Sequence, residues 1–316
     1  MRLIFTILLI GLFKADAQMV INASAPYRPV RGICGDTTRL LDSYTGAFAA
    51  YSLRKLRANY TGSCVRIRRD SVGQTEQDFG FDICGYLDTN AIKNFCRANA
   101  GRIVTWYDQS GNARNINQNT QSNQPFFWTG TGFGSLTGTS NDVRKSPSFS
   151  TGSGGIASRL INNFSTIIQP ITTFSVSRID NATTGAADVI YDSYNNTQSI
   201  LYYTGTTESP NNRWILGCGI SLTGTTAGNT NPNLFSTLHN GLSSKIDING
   251  ASYVSGNAGT NGMAGISVGN IRGNPSPIVN GYALDGRIAE LIIYNSNQSS
   301  NQSGIETNIN TYYGIY

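Results

Sequence analysis

Few residues in this chain could break a bond by acid–base or nucleophilic chemistry. There are four glutamates, Glu76, Glu208, Glu290 and Glu306, and nothing in their spacing pairs them. Such chemistry needs two carboxyls that converge, one holding a proton while the other attacks or activates water. Asp188 and Asp192, in the stretch DVIYD, share a face if that stretch is a regular strand, but about 13 Å apart. Turn or edge positions suit them better than a catalytic pair. Asp108 lies in TWYDQSGNARN, where an apolar run drops into Gln-Ser-Gly. There Asp and Ser bond back to local amides and Gly accepts positive φ, so Asp108 reads as a structural cap. With one histidine, His239, and no Cys-x-x-Cys, no metal site is expected. No cofactor is indicated; calcium is compatible with such loops but has no signature here.

The elements that must position these groups are mostly strands. TTFSVSRI, DVIYDSY, SILYYTG, RWILGCGI, LFSTLHNG, SKIDINGASYVSG, AGISVGNI and GRIAELIIYN recur at short intervals between Gly/Asn/Ser turns, the pattern of a β-sandwich. Asn249-Gly250 predicts a two-residue type I′ hairpin. In the N-terminal third, SCVRIRR alternates at period two and pairs with TEQDFGF across SVGQ. LDTNAIKNFCRA predicts a short helix capped by Asp88 or Thr89. Residues 37–57 have the spacing of an amphipathic helix interrupted near Gly46. Both faces of GRIVTWYDQSG are apolar, as in a strand buried on two sides. No repeat period or linker appears. The expected organisation is a signal peptide over 1–17 and a single domain over 18–316, with subregions 18–125 and 126–316.

The start, MRLIFTILLIGLFKADAQ, has a basic n-region, a short apolar run and Ala15-Asp16-Ala17, so cleavage before Gln18 and secretion are expected. The run falls short of the roughly 20 apolar residues a membrane span needs. A net charge of +5, with 13% charged residues, is too weak and scattered for nucleic acid. Export permits disulfides. Of the three pairings open to the first four of five cysteines, Cys84–Cys96, closing a short loop, and Cys34–Cys64 are expected. Cys218 reads as a small buried hydrophobe on a strand.

Three pieces within 36–118 carry a resemblance: TTRLLDSYTGAFAAYSLRKLR, CVRIRRDSVGQTEQDFGF and FCRANAGRIVTWYDQSGNARNINQ. They resemble the N-terminal part of the catalytic domain of α-L-arabinofuranosidase B, glycoside hydrolase family 54. The span 171–294, through FSVSR, VIYDS, WILGCGI, SSKIDINGASYVSGNAGT and DGRIAELIIYN, is similar to laminin-G-like and concanavalin A-like modules. The combined pattern also resembles phage-tail and secreted bacterial domains. The resemblance implies an all-β, concanavalin A-like (jelly-roll) sandwich with a few short helices in the N-terminal third. In that family the nucleophilic glutamate follows a strand after two adjacent cysteines. Here Ala186-Ala187 or a neighbouring pair stands where the cysteines would be, and Asn195, Asn196 or Gln198 where the glutamate would be. An amide cannot attack an anomeric carbon, and retaining hydrolysis needs two carboxyls about 5 Å apart. The loop between Ile220 and Leu234 holds no acid to replace the family's acid/base aspartate. Cys34 and Cys96 match family positions, but their near partners are absent.

The expected function is therefore a secreted, non-catalytic sandwich that binds a polysaccharide or cell-surface glycan or acts as an adhesive module. The alternatives are a diverged arabinofuranosidase-like hydrolase and a self-associating component of an extracellular or virion assembly. Candidate sugar contacts are Asp192, Tyr194, Asn195 and Asn196, with Trp128 and Trp214 as stacking rings whose other reading is core or rim.

Overall fold

Alternating hydrophobicity with abundant turn residues favours antiparallel pairing, because consecutive strands can then be joined by short loops. The computed structural model describes residues 38–316 apart from 139–141, 143, 151–156, 182–186, 196, 205–210 and 272–279. The expected signal peptide, Cys34, Asn196 and Glu208 lie outside the described residues. Among those described, every strand pairing is antiparallel, and the chain is an all-β sandwich. The first sheet is centred on Ile171–Ile179, which pairs with both Asn233–His239 and Gly286–Tyr294. Ser244–Ile248 and Ala251–Gly256 extend it on one side and Ala49–Ser52 on the other.

The second sheet is centred on Ala187–Asp192, flanked by Ile200–Thr204 and Ile266–Val268. It runs out through Trp214–Gly217 to Ser221–Thr223. In the other direction it passes through Leu160–Asn162, Ile116–Asn117, Gly101–Trp106 and Val65–Arg69 to Glu76–Phe79. Phe126–Trp128 and Ser148–Phe149 join the sheets at one end.

Two apolar layers hold this together. Between the sheets lie Trp106, Tyr191, Trp214, Phe235, Ile266 and Leu291 with their neighbours. On the outer face of the first sheet, Phe174, Val176, Leu234 and Ile292 meet helix α1 (Leu40–Ser43) and the C-terminal helix. Helix α2 (Thr89–Cys96) begins as expected, with the Asp88 carboxylate accepting from the Ala91 N–H at 2.9 Å. Helix α3 (Gln302–Tyr313) lays Ile305, Ile309 and Tyr313 on the sheet. Each such burial removes roughly 1.5–3 kcal/mol of unfavourable hydration. The Asn249-Gly250 hairpin is present, with positive φ at both residues.

Two expectations fail. Residues 37–57 are not one amphipathic helix: after α1 the chain turns through Gly46, at φ +82, and Ala49–Ser52 pairs with the strand Gly286–Tyr294. The edge of that apolar strand supplies hydrogen bonds and burial on both faces, which outweigh helical periodicity. The cysteine pairing also differs. Cys64 and Cys96 are free and buried, so neither Cys84–Cys96 nor Cys34–Cys64 forms. Cys84 is disulfide-bonded. Cys64 and Cys96 sit in the core layer between the sheets, where they serve as small hydrophobes.

Candidate active site

The strand Ala187–Asp192 carries both aspartates singled out by the sequence, but it is not regular. A bulge between Val189 and Tyr191 shifts its register and breaks the alternation that would put Asp188 and Asp192 on one face. Tyr191 points between the sheets, where its hydroxyl meets Thr173 and Thr237. Asp192, next along and opposite Ser267, belongs to the outer face of the second sheet. Asp188 instead reaches towards the first sheet, its Oδ1 accepting from the Asp285 N–H at 2.8 Å. Asp285 immediately precedes the strand Gly286–Tyr294, so this contact bridges the two sheets at their rim.

Asp188 and Asp285 meet through this side-chain-to-backbone contact, which sequence spacing could not show. Asp188 is nearly buried, and burial pushes its pKa up to about 7; the Asp285 charge adds to this and its backbone N–H opposes it. Among the described residues the Oδ2 atom of Asp188 has no hydrogen-bond partner. Asp285 is half-buried and its carboxyl is raised by burial and by Asp180, with Arg287 acting the other way. Asp180 is itself neutralised by Arg287 Nε at 2.8 Å and Arg178 Nε at 3.3 Å. With its pKa raised to about 7, Asp188 holds its proton into the near-neutral range. Both carboxyls are raised by burial, and neighbouring carboxyls with perturbed pKa values are candidates for proton transfer. Asp285 was not singled out by sequence reading; its one signal is an acid beside Gly at the start of an apolar strand, which is also ordinary turn chemistry.

Other candidates fall elsewhere. Asp192 is fully buried and closes the loop after its strand, Oδ1 accepting from Ser193 N–H at 2.8 Å and Ser199 N–H at 3.2 Å. Tyr194 and Asn195 lie half-buried on that loop, and Asn195 Nδ2 donates to Asn163 Oδ1 at 2.7 Å. Trp128 and Trp214 are buried in the core, against Phe133 and against Tyr203 and Phe235 respectively. Neither ring presents a face for a sugar. Glu76 is exposed on the edge strand. Glu306 is buried in α3, accepting from Ser236 Oγ and Gln302 Nε2, and Glu290 is locked in an ion pair with Arg54.

Asp108 is the cap that its context suggests. Its Oδ1 accepts from Ala50 and Ser110 N–H, both at 2.8 Å, and Oδ2 from Ser110 Oγ and Arg114 N–H. Gln109 completes the stitch by donating to the Ser52 and Arg54 carbonyls and accepting from Leu56 N–H. Both side chains are fully used in holding this loop to the strand Ala49–Ser52.

A second constellation has the residue types of a nucleophile–base pair. Cys218 Sγ and Ser199 Oγ lie 3.0 and 3.1 Å from His239 Nδ1, and Tyr191 Oη lies 3.0 Å from Nε2. The environment removes the chemistry. Burial takes the His239 pKa down to about 3 and the Cys218 thiol up to about 12, so the pair is neutral and sealed between the sheets. It acts on stability instead. A histidine held neutral supports the fold above its unfolded pKa of about 6.5, and that support is lost as pH falls from there towards 3. His239→Gln should flatten the pH dependence of unfolding free energy between pH 6.5 and 4 by up to ~1.4 kcal/mol per pH unit. Urea titrations of both proteins across that range would measure it, and parallel curves would refute the assignment.

Residues 41–153 match the family model described as alpha-L-arabinofuranosidase B, catalytic. That span is less than half of the chain. No curated protein matches. Among solved structures, a GH54 α-L-arabinofuranosidase soaked with a cyclic sulfate inhibitor shares 15% identity over 88% of this chain and 65% of its own, with a TM-score of 0.57. An arabinofuranosidase complexed with arabinofuranosyl-α-1,2-xylobiose shares 15% identity over 88% and 64%, at 0.49. A Trypanosoma rangeli sialidase shares 11% over 84% and 33%, at 0.40. The first overlays closely enough to show an arabinofuranosidase-like sandwich fold, and this chain spans less than two-thirds of that enzyme's length.

Proposed function

We propose that this protein is an exported, arabinofuranosidase-like glycoside hydrolase acting on a polysaccharide side chain, with Asp188 as proton donor and Asp285 as the partnering carboxylate. The observation that carries the reading is the Asp188–Asp285 pair at the rim of the sandwich. Asp188 keeps a proton near neutral pH, and the Asp285 beside it is half-buried, its carboxyl without a hydrogen bond among the described residues. Protonating the glycosidic oxygen makes the leaving sugar a neutral alcohol. An ionised carboxylate nearby stabilises the positive charge that develops at the anomeric carbon, and can attack it or activate water. The arabinofuranosidase-like fold supports the substrate class. No glutamate of the described chain occupies a comparable place, so the carboxyl pair replaces the nucleophile expected from the resemblance.

The test is release of 4-nitrophenol from 4-nitrophenyl α-L-arabinofuranoside, and of arabinose from arabinan, by the purified protein at pH 5–7. Turnover above the uncatalysed rate is the expected result. Saturable binding of arabinan without release would retire the catalytic reading and leave a carbohydrate-binding module.

A further inference from the structure

The outer face of the second sheet holds a buried cation with no partner among the described residues. Leu160 packs into the core between the sheets, so Arg159 beside it falls on the opposite face. Arg159 is 8% exposed, and its Nε and Nη1 are enclosed without a hydrogen-bond partner. It is absent from the ion pairs of the described residues, although its backbone is tied down by Asn123 and Gln118. Desolvation lowers its pKa, and Tyr194 is the titratable group that acts against this. A buried guanidinium would normally be ion-paired or hydrogen-bonded, because stripping it of water is costly. Among the described residues, the other arginines buried to this degree have acceptors: Arg54 holds Glu290, and Arg68 holds Gln124 and Asp70.

Arg159 shares its face with Ile161, Ser267 and Asp192, which pairing places in one row. The Asp192 Oδ1 is turned to the Ser193 and Ser199 amides. The loop after that strand presents Tyr194, with the Asn195–Asn163 amide pair at its side. A guanidinium with N–H donors that lack acceptors, within electrostatic reach of Tyr194, is chemistry that binds a carboxylate, here one on a sugar ring.

We infer that Arg159 anchors the carboxylate of an acidic saccharide, a uronosyl unit, on the face formed with Tyr194 and Asn195. The saccharide part of this inference rests on the proposed function, while the anion part stands on Arg159 alone. The site lies on the opposite side of its sheet from the Asp188–Asp285 pair, so it serves as a binding subsite for a neighbouring acidic sugar.

Calorimetric titration of the full chain tests it with four probes: trigalacturonate, its methyl ester, a sulfated disaccharide and arabinotriose. Trigalacturonate should bind at least about tenfold more tightly than its ester, as expected for one charge-assisted hydrogen-bonded contact. Arg159→Met should abolish that preference while raising Tm, since it removes an unpaired buried charge. Arg159→Lys, which keeps the charge without the fork, should bind more weakly than wild type and covers the case in which the methionine variant does not fold. Equal binding of acid and ester, no binding, or an unchanged preference in either variant would overturn the inference. Preference for the sulfated sugar would overturn the carboxylate assignment. Acid binding without arabinofuranoside turnover would refute the hydrolase reading alone, and turnover without acid binding would refute this inference alone.

Discussion

Replacing Glu290 with alanine is expected to lower the unfolding free energy by about 3–5 kcal/mol, the range for stripping one partner from a buried ion pair. Arg54 donates to both Glu290 oxygens at 2.9 Å, and Ser52 Oγ donates to Oε2 at 2.6 Å. Arg54 also donates to Asn308 Oδ1 and lies 4.9 Å from the Tyr312 ring centroid. Burial alone would lower the Arg54 pKa, but the Glu290 charge and hydrogen bond outweigh it and hold the guanidinium above its ordinary value. Glu290→Ala leaves that cation between the first sheet and α3 with nothing to neutralise it. Urea denaturation should show the midpoint fall, and limited proteolysis should cut the C-terminal helix first. The double variant Arg54→Met/Glu290→Leu should recover most of the loss, because an apolar pair removes both desolvation penalties. A single-variant loss below about 1 kcal/mol would mean that water reaches the pair.

The second large effect concerns Asp188. If it donates the proton, Asp188→Asn should reduce arabinofuranoside turnover by about 100-fold or more, the range for general-acid catalysis. The alkaline limb of the wild-type pH–rate profile should fall near pH 7, where Asp188 loses its proton. Stability provides a readout independent of activity. A carboxyl whose folded pKa is raised supports the fold fully below its unfolded pKa of about 3.9, and that support is lost as pH rises towards 7. Asparagine still accepts from the Asp285 N–H and never ionises. The variant should therefore be more stable than wild type at pH 8–9, by on the order of 4 kcal/mol at most, and no more stable at pH 4. An inactive variant with an unchanged pH–stability curve would indicate lost geometry rather than a lost acid. Wild-type turnover that survives the substitution would exclude Asp188 as the donor.

The strands and the Asp108 cap were legible because each depends on local spacing. Period-two alternation, Asn249-Gly250 and the Asp-Gln-Ser-Gly turn describe contacts within a few residues or between adjacent strands. Helix α2 was legible for the same reason, since Asp88 caps an amide three residues on. The segment 44–57 misled because its apolar spacing fits a helix as well as an edge strand, and only the neighbouring strand Gly286–Tyr294 breaks the tie. Trp128 and Trp214 are aromatic in either reading; burial is what separates a core ring from a sugar shelf.

By itself, then, the sequence determined the sandwich class, most of the strands and the role of Asp108, because short-range periodicity and turn chemistry carry that information. Tertiary structure alone decided which acids meet. Asp188 and Asp285 are far apart in the chain and are brought together where two sheets close. A single-residue bulge moves Asp188 off the face of Asp192 and towards its partner. Arg159 likewise looks like any arginine beside an apolar run until packing encloses it without an acid. Both features depend on long-range contacts and on what burial does to charge, neither of which linear spacing records.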